Sequence, residues 1–290
     1  MEIREYLDKI AEEVCAELNE RLPEEKGDHA RLASAMRYSV FNGGKRLRPA
    51  LFCAALEAFG LERNKYMQFA AGLEMIHCYS LIHDDLPAMD DDCFRRGKPT
   101  CHRAYDEATA ILAGDGLLTL GAKLFAMPIP GVDGNRQLAA ARAMLDGAER
   151  MVQGQAAEMA AELPDTGLIE RIYLGKTAGL FASAVVSAGM LAGADEAHTA
   201  ALAEYAAGLG LAFQIADDIL DIKGDMELTG KPNGSDARNG KKTYAAALGC
   251  DKAAEAVRAM AERASAAAAK LPRGGGMLAA FPDFLAGRAI

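Results

Sequence analysis

From Tyr205 to Ala216 the chain runs for twelve residues, YAAGLGLAFQIA, without a charge, and then sets Asp217, Asp218 and Asp221 within five positions. An uncharged run of this length reads as a helix buried nearly all round. Asp217 and Asp221 stand four apart, so on that helix they share one face about a turn from each other. Two carboxylates so placed repel unless a cation bridges them.

The rest of the sequence agrees with a helical architecture. No stretch sustains apolar–polar alternation at period two, and the strong helix formers Ala, Leu, Glu, Met and Lys dominate. Breakers sit at Gly43-Gly44, Gly60, Pro128 to Gly134, Pro164 to Gly167, Gly230 to Gly240 and Pro272 to Gly276. Between them the pattern predicts long helices over roughly 101–126, 136–162, 168–192 and 196–223. No break has the look of an interdomain linker, so the expectation is an all-α fold, a single domain over residues 1–290 built as a helical bundle. The stretch GLFASAVVSAGMLAGA, 179 to 194, is apolar or small throughout but short of the roughly 20 residues that span a bilayer. It reads as a core helix, and no membrane span is expected.

Composition narrows the function classes. A formal charge of −9 argues against a general nucleic-acid binder, which displays a basic face. The six cysteines lack a CxxC pair or regular spacing, and the first residues read as an amphipathic helix rather than a signal peptide. Reduced thiols in a cytoplasmic protein are therefore expected.

A second acidic cluster lies in SLIHDDLPAMDDDCFRRG, residues 80 to 97, with five aspartates between Asp84 and Asp92. It too ends an apolar run, and Pro87 stops the helix so that Asp90 can loop back towards Asp84. Alone, this segment reads as a solvated acidic turn. Two such clusters, each ending an apolar helix, suggest facing walls of one site closed by a divalent cation and a polyanionic ligand. Oxygen donors suit Mg²⁺, which keeps waters and pairs with phosphates. The spacing of an EF-hand is missing, and so is that of a zinc site.

Basic residues then mark candidate anion contacts. NGGKRLRP, 42 to 49, sets Lys45, Arg46 and Arg48 beside a glycine pair, with Pro49 placed for the first turn of a helix. Backbone N–H groups at such a start make a phosphate cradle, although the segment alone also reads as a surface turn. It is not a P-loop, which disfavours nucleotide hydrolysis. Arg95, Arg96, Lys176-Thr177, Lys231 and Lys241 are further candidates. His77 and Gln214 lie on apolar helices, where a satisfied buried polar group is the plain reading, yet both are close to an acidic mouth.

GGKRLRP, DDLPAMDDDCFRRG, Gly154-Gln155, Lys176-Thr177 and QIADDILD at 214–221 occur in this order. In these motifs the chain resembles the short-chain trans-polyprenyl diphosphate synthases, nearest to the bacterial farnesyl diphosphate synthase branch. The resemblance runs from about residue 25 to 250. It implies an isoprenoid-synthase bundle around a deep central cavity, two diphosphate pockets and a homodimer. It also implies condensation of isopentenyl diphosphate with dimethylallyl and geranyl diphosphates to give farnesyl diphosphate. Alternatives are a geranyl or geranylgeranyl diphosphate synthase and, in another class, a non-catalytic subunit of a heteromeric synthase.

By the same resemblance Asp84, Asp85, Asp90, Asp217, Asp218 and Asp221 hold three Mg²⁺ ions that bind the allylic diphosphate. Arg95, Lys176, Thr177, Gln214, Lys231 and Lys241 surround that group, and Lys45, Arg48, His77 and Arg96 match the isopentenyl diphosphate pocket. Tyr79, with the small Ser80 beside it, matches the position where an aromatic floor stops the tail at farnesyl length. The chain departs from the pattern at Cys93, where close relatives often carry an acid, and at Glu158, where many have Asp. Pro282 is expected to break or delay the closing helix of the tail, and Arg288 is left out of the site.

Overall fold

The computed structural model describes residues 1–162, 165–223 and 241–287. Thirteen α-helices and one two-residue β-ladder make up the regular structure among them. The chain divides into two compact units, Met1–Ala50 with Asn64–Ile129, and Leu51–Arg63 with Pro130–Ile290.

The first unit contains α1 (Ile3–Arg21) and α2 (Ala30–Val40), and the start of α3 (Leu47–Ala58). It continues with α4 (Met67–Asp84), the hairpin strands β1 (Phe94–Arg95) and β2 (Lys98–Pro99), α5 (Cys101–Ala104) and α6 (Glu107–Ala126). α4 packs against α6, α1 and α2. It is buried on almost every side, from Met67 through Ile82, which fits its nearly unbroken apolar sequence. α6 is long and apolar enough to cross a membrane by composition alone. It buries Ala110, Ala113, Leu117, Leu124 and Phe125, and Phe125 packs its ring on Phe69 of α4. That face packs into this unit, while Ile111 and Leu112 on the other are 45% and 56% exposed.

The second unit carries α7 (Gly134–Ala160), α8 (Thr166–Lys176), α9 (Ala178–Ala192) and α10 (Glu196–Lys223). After these come α11 (Tyr244–Leu248), α12 (Cys250–Ala268) and α13 (Phe281–Ala286). α10 is the spine: it packs on α9 and α12, and α7 packs on α8 and α9. Its uncharged run is enclosed as its sequence predicts. Tyr205 is fully buried, and its hydroxyl donates to the Leu278 carbonyl at 2.8 Å, so the one polar atom of the ring is satisfied.

Two predicted helices are each divided. The span 101–126 breaks at Tyr105, because Asp106 caps a new helix by accepting from the Thr109 N–H at 2.7 Å. The span 168–192 breaks at Thr177, where α8 and α9 turn by 46°. The helices predicted at 136–162 and 196–223 are found at Gly134–Ala160 and Glu196–Lys223. In the tail, Pro282 sits in the first turn of α13, which begins at Phe281, and its missing N–H costs nothing there, so it does not break the helix.

Candidate active site

In the first unit the chain leaves α2 through Asn42 to Arg46, with left-handed backbone at Gly43 (φ 85°), Gly44 (φ 107°) and Arg46 (φ 47°). A Cβ at Gly44 would lie 2.5 to 2.7 Å from the guanidinium atoms of Arg96, so glycine is what admits that side chain. Arg96 donates from Nη1 to the Gly43 carbonyl at 2.5 Å. Arg96 and Gly97, both at positive φ, form the tight turn between β1 and β2. The hairpin is held against the loop by Tyr38, whose hydroxyl donates to Pro99 O at 2.7 Å, and by Asn42, whose amide donates to Arg95 O at 3.2 Å.

Arg48, in the first turn of α3, meets His77 of α4 with 3.2 Å between Nη1 and Nε2. A guanidinium can only donate, so Nε2 is the acceptor and the ring is neutral with its proton on Nδ1. Burial, together with the nearby cations Arg48, Arg96, Arg95 and Arg46, pushes His77 well below the usual imidazole range. Lys45 is exposed at the loop's crest. Arg46, which the sequence sets among the cradle cations, instead turns inward. Its Nη1 lies 2.6 Å from Glu74 Oε1, and the two side chains are 3% and 2% exposed.

α4 ends where Pro87 forbids another turn. The chain returns at once, and the Asp90 N–H donates to the Asp84 carbonyl at 2.9 Å, the loop-back that the sequence predicts. Asp85 is 3% exposed and is held by Arg95, whose Nε lies 2.9 and 2.8 Å from its two oxygens. Tyr79 is buried and sets its ring edgewise to that of His83, one turn on, while Ser80 donates to the His77 carbonyl at 2.8 Å.

The second unit builds a polar network at the end of the α10 run. Asp217 and Asp221 are half-buried, whereas Asp218 is 2% exposed. Asp218 Oδ2 accepts from the Tyr173 hydroxyl at 2.7 Å and from the Tyr244 N–H at 3.1 Å. Thr177 Oγ1 donates to Gln214 Oε1 at 2.7 Å, and Gln214 Nε2 points at Asp218 Oδ1 from 3.4 Å. Lys176 donates to Glu158 at 2.6 Å. A Cβ at Gly154 would lie 2.3 Å from the Lys176 backbone nitrogen, so the glycine before Gln155 sets the close approach of α7 to α8.

The first unit thus brings Arg48 to His77, Arg96 to the glycine loop and Arg95 to Asp85, and the second brings Thr177 and Gln214 to Asp218. Lys241 is described and half-buried, while Lys231 and Arg288 lie outside the described residues. Glu74 and Tyr173 were not singled out in the sequence. A lone acid inside the apolar run FAAGLEMI was the available signal for Glu74; Tyr173 had none. Among the described residues no three His, Cys, Asp or Glu side chains converge to hold an ion by themselves. The donors are carboxylate oxygens, which suit a hard cation completed by water and phosphate oxygens.

A family model described as polyprenyl synthetase matches residues 29–272. The chain belongs to this family. This polyprenyl synthetase is 44% identical over 257 residues to the farnesyl diphosphate synthase of Geobacillus stearothermophilus, covering 86% of this chain and 85% of that one. It is 41% identical over 230 residues to the chloroplastic geranylgeranyl pyrophosphate synthase of Catharanthus roseus, covering 78% of this chain and 64% of that one. Among solved structures, an FPP/GFPP synthase from Zymomonas mobilis matches with a TM-score of 0.87 at 31% identity over 98% of each chain. The all-α fold read from the sequence is the fold of these proteins.

Proposed function

We propose that this polyprenyl synthetase is a farnesyl diphosphate synthase. It joins isopentenyl diphosphate to dimethylallyl diphosphate, and then to the geranyl diphosphate so formed. In each round the allylic carbon–oxygen bond breaks and its electron pair leaves with diphosphate. The isopentenyl double bond attacks the allylic cation, forming a carbon–carbon bond, and the proton then lost passes to the released diphosphate. No protein base is needed.

The observation that carries this reading is the spacing of two unlike polar sites on α4. His77 and Asp84 are seven residues apart, close to two full turns, so they share a face about 10.5 Å apart along the axis. One site is a cation pocket of Lys45, Arg48, Arg96 and a neutral His77; the other is the acidic turn of Asp84, Asp85 and Asp90. A cation pocket suits a diphosphate taken directly, and an acidic turn suits one taken through metal. That pairing fits an enzyme with two diphosphate substrates.

Asp84, Asp85, Asp90, Asp217, Asp218 and Asp221 are the residues we assign to magnesium, three ions in the full complex. Bound magnesium supplies electrostatic stabilisation of the departing diphosphate. Arg95, Lys176, Thr177, Gln214, Lys231 and Lys241 are assigned to the same anion, and Tyr79 with Ser80 to the limit on tail length. We treat both units as one catalytic domain, which the unbroken family match from 29 to 272 supports. The reading includes a cytoplasmic homodimer. Leu138, Leu145, Val152 and Met159 are 69%, 42%, 54% and 59% exposed at intervals of seven along α7, an apolar stripe suited to a second copy.

Incubation of the purified protein with dimethylallyl and isopentenyl diphosphates and Mg²⁺ tests the reading. Diphosphate release that requires both substrates is expected, and its absence from folded protein would overturn it.

A further inference from the structure

The cation pocket rests on a contact that takes no part in binding. Arg46 stands between Lys45 and Arg48 in sequence, yet its guanidinium is turned away from solvent. Nη1 lies 2.6 Å from Glu74 Oε1, and Nη2 donates at 2.6 Å to the carbonyl of Val40, the last residue of α2. One side chain therefore joins the end of α2, the glycine loop and α4. Glu74 is three residues before His77, so the two are neighbours on the surface of α4. The loop is pinned there twice, by Arg46 on Glu74 and by Arg48 on His77.

The pair is poorly built for stability. Arg46 Nε and Glu74 Oε2 are buried without a hydrogen-bond partner. The Arg46 backbone also holds φ at 47°, a region costly for a residue with a side chain. Two desolvated charges and a strained residue do not outperform an apolar pair of equal volume. What the pair does supply is register. It fixes how far the loop can slide along α4, and so where its cations stand relative to His77. Burial pulls Arg46 towards neutrality, but Glu74 more than offsets this and holds the guanidinium above its ordinary range.

We propose that the buried Arg46–Glu74 pair is a positioning device that sets the glycine loop on α4 and preorganises Lys45, Arg48 and Arg96 for the diphosphate of the isopentenyl substrate. This rests on the function proposed above. Without the pair, the loop must be ordered by the ligand, and that cost falls on isopentenyl affinity alone.

The test is calorimetric titration of isopentenyl diphosphate into wild type and the double variant Arg46→Met/Glu74→Leu, with circular dichroism and thermal unfolding as checks of fold. Steady-state KM values for both substrates accompany it. Removing both charges keeps the volume and leaves no unpaired ion, so the variant should fold. The expected result is a rise of about tenfold or more in isopentenyl Kd and KM, with allylic KM and kcat changed less than about threefold. Arg46→Lys, which keeps a cation opposite Glu74, should recover part of the affinity. A folded double variant with unchanged isopentenyl Kd overturns the proposal, and so does an equal rise in both KM values. Glu74→Gln is the second variant should the first not fold, and an unchanged Kd there counts equally against the proposal. Wild type that binds no isopentenyl diphosphate refutes instead the function on which the proposal rests.

Discussion

Arg95 holds Asp85 through both carboxylate oxygens, with Nε 2.9 and 2.8 Å away and Nη2 2.5 Å from Oδ1. Asp85 caps the end of α4, and its side chain is only 4% exposed. Removing the arginine leaves a buried carboxylate without its cation. Arg95→Ala should therefore cost about 3 kcal/mol of stability, near the lower end of the range for breaking a buried pair from one side. Urea unfolding of the two proteins measures it, and a loss under about 0.5 kcal/mol would show that Asp85 does not depend on Arg95.

The assigned metal residues give a kinetic prediction. Asp84→Ala and Asp217→Ala should each lower kcat by a factor on the order of a hundred or more, as the departing diphosphate loses its electrostatic support. Isopentenyl diphosphate binding, assigned to the cation pocket, should remain within a few-fold of wild type by calorimetry. Chelation with EDTA should abolish turnover and Mg²⁺ restore it. Turnover that persists in metal-free buffer would remove the role given to the aspartates.

His77 links the cation pocket to pH. Burial and the cations Arg48, Arg96, Arg95 and Arg46 lower its folded pKa well below the unfolded value. Between the two values the unfolded chain binds a proton that the native state refuses, so stability falls as pH drops below about 6.5. The slope from this one group approaches roughly 1.4 kcal/mol per pH unit. His77→Gln cannot titrate, and its unfolding free energy should lack this component between pH 7 and 5. Parallel stability curves for the two proteins would rule it out.

Much of this was legible in the sequence, and the parts that were not have a common cause. The uncharged run before Asp217 and the apolar run before Asp84 fix two buried helices, and Pro87 fixes where α4 must end. The capping chemistry of Asp106 was also present, but the propensity of the residues on either side hid the break. Partnership was not legible. Arg46 and Arg48 are two apart in one basic motif, and nothing local separates the one that turns inward from the one that faces His77. That difference is made by Glu74, twenty-eight residues further along the chain. Tyr173 likewise meets Asp218 across forty-five residues.

Tyr79 should set product length. It lies five residues before Asp84 on α4, about 7.5 Å deeper along the axis, and is buried. Burial, with the Asp84 charge contributing, raises its phenol above the usual range. Tyr79→Ala should shift products from fifteen carbons (farnesyl) towards geranylgeranyl diphosphate or longer, read by chromatography after dephosphorylation. An active, folded variant that still stops at farnesyl diphosphate means that another residue forms the floor.

The most direct measurement is the product of the wild-type protein itself. Purified protein is incubated with dimethylallyl diphosphate, excess isopentenyl diphosphate and Mg²⁺, and the dephosphorylated products are separated by chain length. We expect farnesol as the dominant alcohol, with geraniol as a transient. No condensed product, or geranylgeraniol as the main one, would contradict the assignment.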